Sequence, residues 1–132
     1  MADNLVQHLQ REWELVWTNS APTSNFTAQT VSLDLSGYAF IRIQARCTAS
    51  ATRSNYFDIP IGGSPHTSGH YLEMFNTTAT STSTGSLYGT RRKVTATTTG
   101  VTFSTGYYKP TNNTNAPTSD ASRIIPVRIW AR

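Results

Sequence analysis

The sequence predicts an all-β fold, an antiparallel β-sandwich resembling a jelly roll, with about eight strands. Thr, Ser and Asn together make up a third of the 132 residues, and Thr favours strands whereas Ser and Asn favour turns. Short runs alternate between apolar and polar residues, and Gly, Pro, Asn and Ser separate these runs. The abundance of Ala, Glu, Lys and Leu that a helical bundle needs is absent. The length suits one domain with its own core.

Residues 3–12 are the stretch whose spacing favours a helix, because Leu5 and Leu9 lie four residues apart. Such a short helix would be marginal on its own. Two interpretations remain open, a frayed terminus and an anchor or subunit contact made through Leu5 and Leu9. We therefore divide the chain into an N-terminal helical or extended segment, residues 1–12, and a β-sandwich domain, residues 13–132.

The predicted strands follow in order. Period-two alternation begins at 13–17, where apolar Leu15 is in phase with the two flanking tryptophans and Val16 interrupts the pattern. It is clean at 31–35 and 39–47. Further strands are expected at 56–61, 70–76, 87–97, 101–108 and 124–130. Proline has no N–H for a strand ladder, so we expect Pro126 at an edge or a bulge.

Charge and cysteine content exclude several classes of protein. The net charge is +4, but its nine Arg and two Lys are scattered, so we expect no nucleic-acid binding. Cys47 is the single cysteine; it can form no intramolecular disulfide, and its phase with Ile41 and Ile43 predicts a small buried hydrophobe. No apolar run approaches a membrane span, and the N-terminus lacks a signal pattern, so we expect cytosolic synthesis and no membrane insertion.

Signals for catalysis are few. His66 and His70 are four residues apart in a loop, which we interpret as polar; a metal site with Asp58 or Glu73 is the alternative. The carboxylates fit solvent-facing strand positions better than a glycosidase pair. There is no Gly-x-Ser-x-Gly motif and no phosphate-binding glycine loop. We expect no enzymatic activity, no cofactor and no bound metal.

The run Arg91-Arg92-Lys93 is the densest charge cluster. In a strand, Arg91 and Lys93 share one face and Arg92 takes the other. If one face is core, at least one of these cations needs a partner or lies at a subunit boundary. A solvated edge that opposes aggregation is the other interpretation. We take all three as candidate interface residues, together with Leu5 and Leu9.

Aromatic residues near polar loops suggest a binding surface. Tyr71 follows His70, and Tyr107 and Tyr108 precede the long polar loop at 109–122. Adjacent strand residues point to opposite faces, so at least one of these two tyrosines lies near the surface. Such rings suit stacking against a sugar, and they suit a subunit interface equally. The candidate ligand-binding residues are His66, His70, Tyr71, Tyr108, Asn112 and Asn113.

Three stretches carry a family resemblance: 13–38, 91–103, and the end, Ile125-Pro126-Val127-Arg128-Ile129-Trp130. In this order they resemble small β-rich virion proteins and C-terminal domains of tailed bacteriophages and prophages of gut bacteria. Relatives often end in an aromatic residue or Tyr-Gly followed by Ile-Lys, whereas this chain ends Trp130-Ala131-Arg132. The resemblance implies a virion structural protein of the tail-fibre, head-fibre or decoration type.

The first functional hypothesis is a fibre-tip or receptor-binding protein. We expect a homotrimer that binds a host-surface glycan through weak, shallow sites made effective by multivalency. Its N-terminal segment would attach it to other virion proteins, and it would be assembled in the host cytoplasm and become extracellular after lysis. The alternatives are a capsid or tail decoration protein and a free carbohydrate-binding module; a small hydrolase ranks last.

Overall fold

The computed structural model describes residues 12–62, 69–78, 86–110 and 116–132. The predicted contact residues Leu5 and Leu9 lie outside this part of the chain. Within it, no helix is long and apolar enough to cross a membrane. The described residues form nine strands: β1 Glu14–Thr18, β2 Gln29–Ser32, β3 Phe40–Thr48, β4 Ser54–Pro60, β5 His70–Thr78, β6 Ser86–Thr97, β7 Gly100–Pro110, β8 Thr118–Ser119 and β9 Arg123–Ala131.

The strands form two sheets, which confirms the predicted sandwich. One sheet has the order β1-β9-β3-β4, and the other has the order β2-β7-β6-β5 with the short β8 beside β7. Every pairing is antiparallel. The chain passes between the sheets after β1, β2 and β4 and again before β9. The remaining connections are local, a β3-β4 hairpin and a β5-β6-β7 meander.

The core lies between the sheets. Ile41, Ile43 and Ala45 on β3 are fully buried, as their alternation predicts. The facing sheet contributes buried Val94 and Phe103, among others. Cys47 continues the same phase but is only partly buried. It packs against the core, and its Sγ lies 3.3 Å from Thr90 Oγ1.

The alternation in β1 predicts that Leu15 shares one face with the flanking tryptophans, and this prediction is wrong. The register between β1 and β9 shifts between Leu15 and Trp17, which leaves Val16 as an extra residue. Such a bulge places two residues opposite one and reverses the alternation. Leu15 is therefore 54% exposed, whereas Val16 and Trp17 pack against the core.

The second strand is shorter than predicted. It ends at Ser32, although Leu35 is fully buried. The chain turns at Asp34, whose carboxylate accepts hydrogen bonds from the Ser36 hydroxyl and backbone N–H. These hydrogen bonds lower the pKa of Asp34. A side chain that bonds the backbone two residues on favours a turn over a strand.

Pro126 lies at a bulge, one of its two expected positions. It belongs to β9, which is an interior strand between β1 and β3. The register with β3 shifts here: Arg128 pairs with Gln44, and Pro126 pairs with Ala45. Val127 is therefore the extra residue, and the proline's missing N–H falls where the ladder is already interrupted.

Candidate functional site

A groove lies on the outer face of the five-stranded sheet, where β5, β6 and β7 run side by side. Glu73 on β5 pairs with Arg91 on β6, and Arg91 pairs with Tyr107 on β7. Side chains in one row across a sheet point to the same face. The inward residues next to them, Leu72 and Arg92, are fully buried, so Glu73, Arg91 and Tyr107 project outward.

The next row gives the groove its shape. Phe75 on β5 pairs with Gly89 on β6, and Gly89 pairs with Lys109 on β7. Because Gly89 has no side chain, a hollow of about 160 Å³ opens between the flanking residues. A Cβ added at Gly89 would lie 3.7 Å from Phe75 Cε1 and 3.8 Å from the Lys109 carbonyl oxygen, which is ordinary contact. Nothing in the backbone demands glycine here, and a glycine inside a strand often marks a close approach by a ligand.

The walls of this groove, which we call the Gly89 groove, are aromatic and charged. Phe75 is 72% exposed. The Arg91 guanidinium lies 5.2 Å from the ring centre of Tyr71, and Tyr71 is itself 53% exposed. Among the described residues the ion pairs are Arg42–Asp58 and Arg123–Asp120. Glu73 and Arg91 therefore do not pair, and both present their charges to solvent.

The predicted ligand-binding residues are only partly brought together. Tyr71 lies beside the Gly89 groove. Tyr108 lines the groove, but its ring lies 4.5 Å from the Arg123 guanidinium, and it is Tyr107 that shares the outward face of Arg91. His70 opens β5 opposite Val94 and is half-buried. His66, Asn112 and Asn113 lie outside the described residues.

Sequence reasoning missed the groove residues Glu73, Phe75, Gly89, Tyr107 and Lys109. A signal for Phe75 was available, since it lies two and four residues after Glu73 and Tyr71 in one predicted strand. Period-two alternation therefore places all three on one face. No such signal indicated which β6 residue would lie between Phe75 and β7, because that depends on strand register.

Arg92 does not lie at a subunit boundary, because it is fully buried within the sandwich. The prediction that it is an interface residue is therefore wrong, while Arg91 and Lys93 do take the opposite face. The Arg92 side chain instead forms hydrogen bonds within the chain. Its guanidinium donates to the backbone carbonyls of Ile124 (2.8 Å), Ser104 (2.5 Å), Arg123 (2.8 Å) and Phe26 (2.9 Å).

The backbone around Arg92 is adapted to this role. Ile124 has a φ of 49°, a conformation that β-branched residues rarely adopt. Gly106 pairs directly with Arg92, and its missing side chain lets the Asp120 and Arg123 carbonyls approach. Burial lowers the pKa of Arg92 to about 10, against the attraction of Asp120. Arg92 is therefore still protonated at neutral pH.

Asp120 stabilises the turn at 120–123, which leads into β9. Its carboxylate accepts hydrogen bonds from the Ser122 N–H at 2.9 Å and the Ser122 hydroxyl at 2.6 Å, and it forms an ion pair with Arg123 at 3.0 Å. Burial on its own would raise the pKa of Asp120, but these hydrogen bonds and the Arg123 charge lower it overall. The carboxylate thus stabilises the turn whose carbonyls accept hydrogen bonds from Arg92.

The outer face of the four-stranded sheet carries a second aromatic surface. The Trp13 ring lies 4.4 Å from the Arg42 guanidinium and 5.1 Å from that of Arg132. The Tyr56 and Trp130 rings lie 6.0 Å apart. Leu15, Phe40 and Tyr56 are the large exposed hydrophobic residues of this sheet. We call this surface the aromatic–arginine face: Trp13, Leu15, Phe40, Arg42, Tyr56, Trp130 and Arg132.

The part of the chain that the structure describes holds no group of three or more His, Cys, Asp or Glu residues able to bind a metal ion. Comparison with protein-family models, curated proteins and solved structures found no match to this chain.

Proposed function

We propose that this protein is a bacteriophage virion structural protein, a fibre-tip or receptor-binding component that binds a host-surface glycan in the Gly89 groove. The observation that carries the proposal is the open hollow above Gly89, between the exposed Phe75 and the outward Tyr107. Flat rings beside a hollow offer a stacking surface for a sugar ring. Glu73 accepts hydrogen bonds and Arg91 and Lys109 donate them, as recognition of sugar hydroxyls requires.

The proposal that the protein is part of a virion rests on the resemblance of three stretches to small phage proteins. A shallow groove of this size makes a weak site, so useful attachment requires several copies bound at once. A homotrimer, anchored to other virion proteins through residues 1–12, would supply them. Tyr71 belongs to this site as the residue that positions Arg91.

Glycan-array binding of three proteins tests the groove: the wild type, Gly89→Leu and Thr98→Leu. Leucine at position 89 fills the hollow, and we expect it to weaken glycan binding at least about tenfold. Thr98 is exposed in the turn between β6 and β7, outside both the groove and the aromatic–arginine face, so Thr98→Leu is a matched control that we expect to bind normally. Thermal melting checks that both variants fold. A wild type that binds no glycan, or Gly89→Leu that binds as well as the wild type, would contradict the proposal.

The aromatic–arginine face favours a second candidate function, a capsid or tail decoration protein that binds other virion proteins. Trp, Tyr and Arg are the residues enriched at the centres of protein–protein interfaces. This face concentrates all three, and it lies on the sheet opposite the Gly89 groove. The solution mass of the protein separates the two functions, because the receptor-binding function requires a trimer.

A further inference from the structure

We propose that the Gly89 groove selects an acidic sugar, whose carboxylate is bound by Arg91 while its ring packs against Phe75. This inference rests on the proposed function and names the class of ligand. Selection for an acidic sugar depends on the charge of the groove, whereas glycan binding itself depends on the shape of the groove and on its aromatic walls.

The groove has more positive than negative charge. Arg91 and Lys109 line it, and Glu73 is the carboxylate among its described residues. Arg91 lies opposite Glu73 in the register without forming an ion pair with it. An unpaired guanidinium at the edge of a hollow can donate two parallel hydrogen bonds to a carboxylate, which makes it a specific binding group for acidic ligands.

The Arg91 side chain is held in place by an aromatic ring. Its guanidinium lies 5.2 Å from the Tyr71 ring centre, a distance typical of a cation–π contact. This contact limits the conformations that the long side chain can adopt, so less entropy is lost when a ligand binds. Lysine at the same position would lack both the stacking and the planar pair of donors.

The size of the hollow favours a sugar over a nucleic acid, the other anionic polymer that aromatic and basic surfaces bind. The hollow of about 160 Å³ is smaller than the ~300 Å³ at which drug-sized pockets begin, so it suits one terminal ring. Single-stranded nucleic acids need an extended basic channel. The Glu73 carboxylate can also accept a hydrogen bond from a sugar hydroxyl.

The experiment compares an acidic saccharide with its own methyl ester. An array of sialylated, uronate-containing and neutral glycans identifies the best acidic ligand, and calorimetric titration then measures that ligand and its methyl ester. We expect esterification to weaken binding at least about tenfold, because it removes the charge that the guanidinium binds. Arg91→Gln should weaken binding of the acid by a similar factor and weaken binding of the ester much less.

Arg128→Gln is the matched control. Arg128 is exposed on the four-stranded sheet, where it pairs with Gln44, so this variant loses the same charge far from the groove. We expect it to bind the acid as the wild type does. Equal losses in Arg91→Gln and Arg128→Gln would mean that net charge alone attracts the ligand, and would overturn the inference.

Two further outcomes separate this inference from the proposed function. Neutral glycans bound as tightly as acidic ones, with binding lost in Gly89→Leu, would overturn selection for acid and leave glycan binding standing. No glycan bound at all would overturn both. A thymidine oligonucleotide that binds more tightly than any glycan at about 0.15 M salt, with binding lost in Arg91→Gln, would overturn the inference in favour of nucleic acid.

Discussion

At the scale of single residues, Arg92 is the main departure from an ordinary hydrophobic core. Burying a guanidinium costs several kcal/mol unless its donors are satisfied. Here the donors reach carbonyls from three separate segments, at Phe26, at Ser104 and at 123–124. The side chain also lies 5.3 Å from the Phe26 ring centre. Arg92 therefore joins β6, β7, β9 and the loop before β2.

We predict that Arg92→Met destabilises the protein by about 3–5 kcal/mol, because the carbonyls that surround Arg92 lose their buried donor. Arg91→Met is the matched control, since Arg91 is the exposed neighbour in the same strand; we expect its free energy of unfolding to change by no more than about 0.5 kcal/mol. Urea unfolding followed by tryptophan fluorescence measures both. Similar losses in the two variants would show that Arg92 does not connect these segments.

At the scale of the strands, two glycines in neighbouring strands have opposite roles. Gly106 on β7 pairs with Arg92, and a Cβ there would lie 2.5 Å from the Arg123 carbonyl oxygen and 2.6 Å from that of Asp120. These are backbone atoms and cannot move without breaking the carbonyl cluster. Gly89 on β6 has only ordinary contacts. Gly106 is thus required by packing, whereas Gly89 leaves space that packing does not use.

We predict that Gly106→Ala lowers the free energy of unfolding by about 1–3 kcal/mol, as overpacking does. Gly89→Ala should be neutral or slightly stabilising, because alanine lowers the entropy of the unfolded chain and fits its site. Chemical denaturation of both variants gives the comparison, which uses the same substitution in adjacent strands. A loss of stability in Gly89→Ala as large as in Gly106→Ala would contradict this account of the groove.

At the scale of the whole molecule, the sandwich has two different outer faces. The five-stranded sheet carries the Gly89 groove, and the four-stranded sheet carries the aromatic–arginine face. If the second face forms the contacts of a trimer, every groove stays open to solvent. This arrangement provides the several copies of a weak site that multivalent attachment needs.

We predict a trimer in solution, with about three times the 14.5 kDa chain mass by light scattering on a sizing column. Tyr56→Glu should lower the mass towards that of one chain, because a charge in the centre of an apolar interface is costly. Phe75→Glu, which changes an exposed aromatic residue on the other sheet, should leave the trimer intact.

A monomeric wild type would contradict the trimer and favour the decoration function, in which the aromatic–arginine face binds another virion protein. A trimer that survives Tyr56→Glu unchanged would place the subunit contacts elsewhere on the molecule. Light scattering on the same sizing column measures both outcomes.

The candidate site was predictable only in part. Tyr71 is among the predicted ligand-binding residues, and alternation within one strand predicts that Arg91 and Arg92 take opposite faces, but not which of them is outward. Nothing local distinguishes the adjacent Tyr107 and Tyr108. Only the pairing of Arg91 with Tyr107 in the sheet decides which of them shares the outward face of Arg91.

The all-β class, the inward phase of β3 and the irregularity at Pro126 could be predicted from the amino-acid sequence. Period-two alternation and the missing N–H of proline act over a few neighbouring residues, so they can be recognised without knowing the fold. The reversed phase of β1, the burial of Arg92 and the hollow above Gly89 required the tertiary structure. Each depends on strand register or on carbonyls that are distant in the chain, and only the packing of the two sheets brings these groups together.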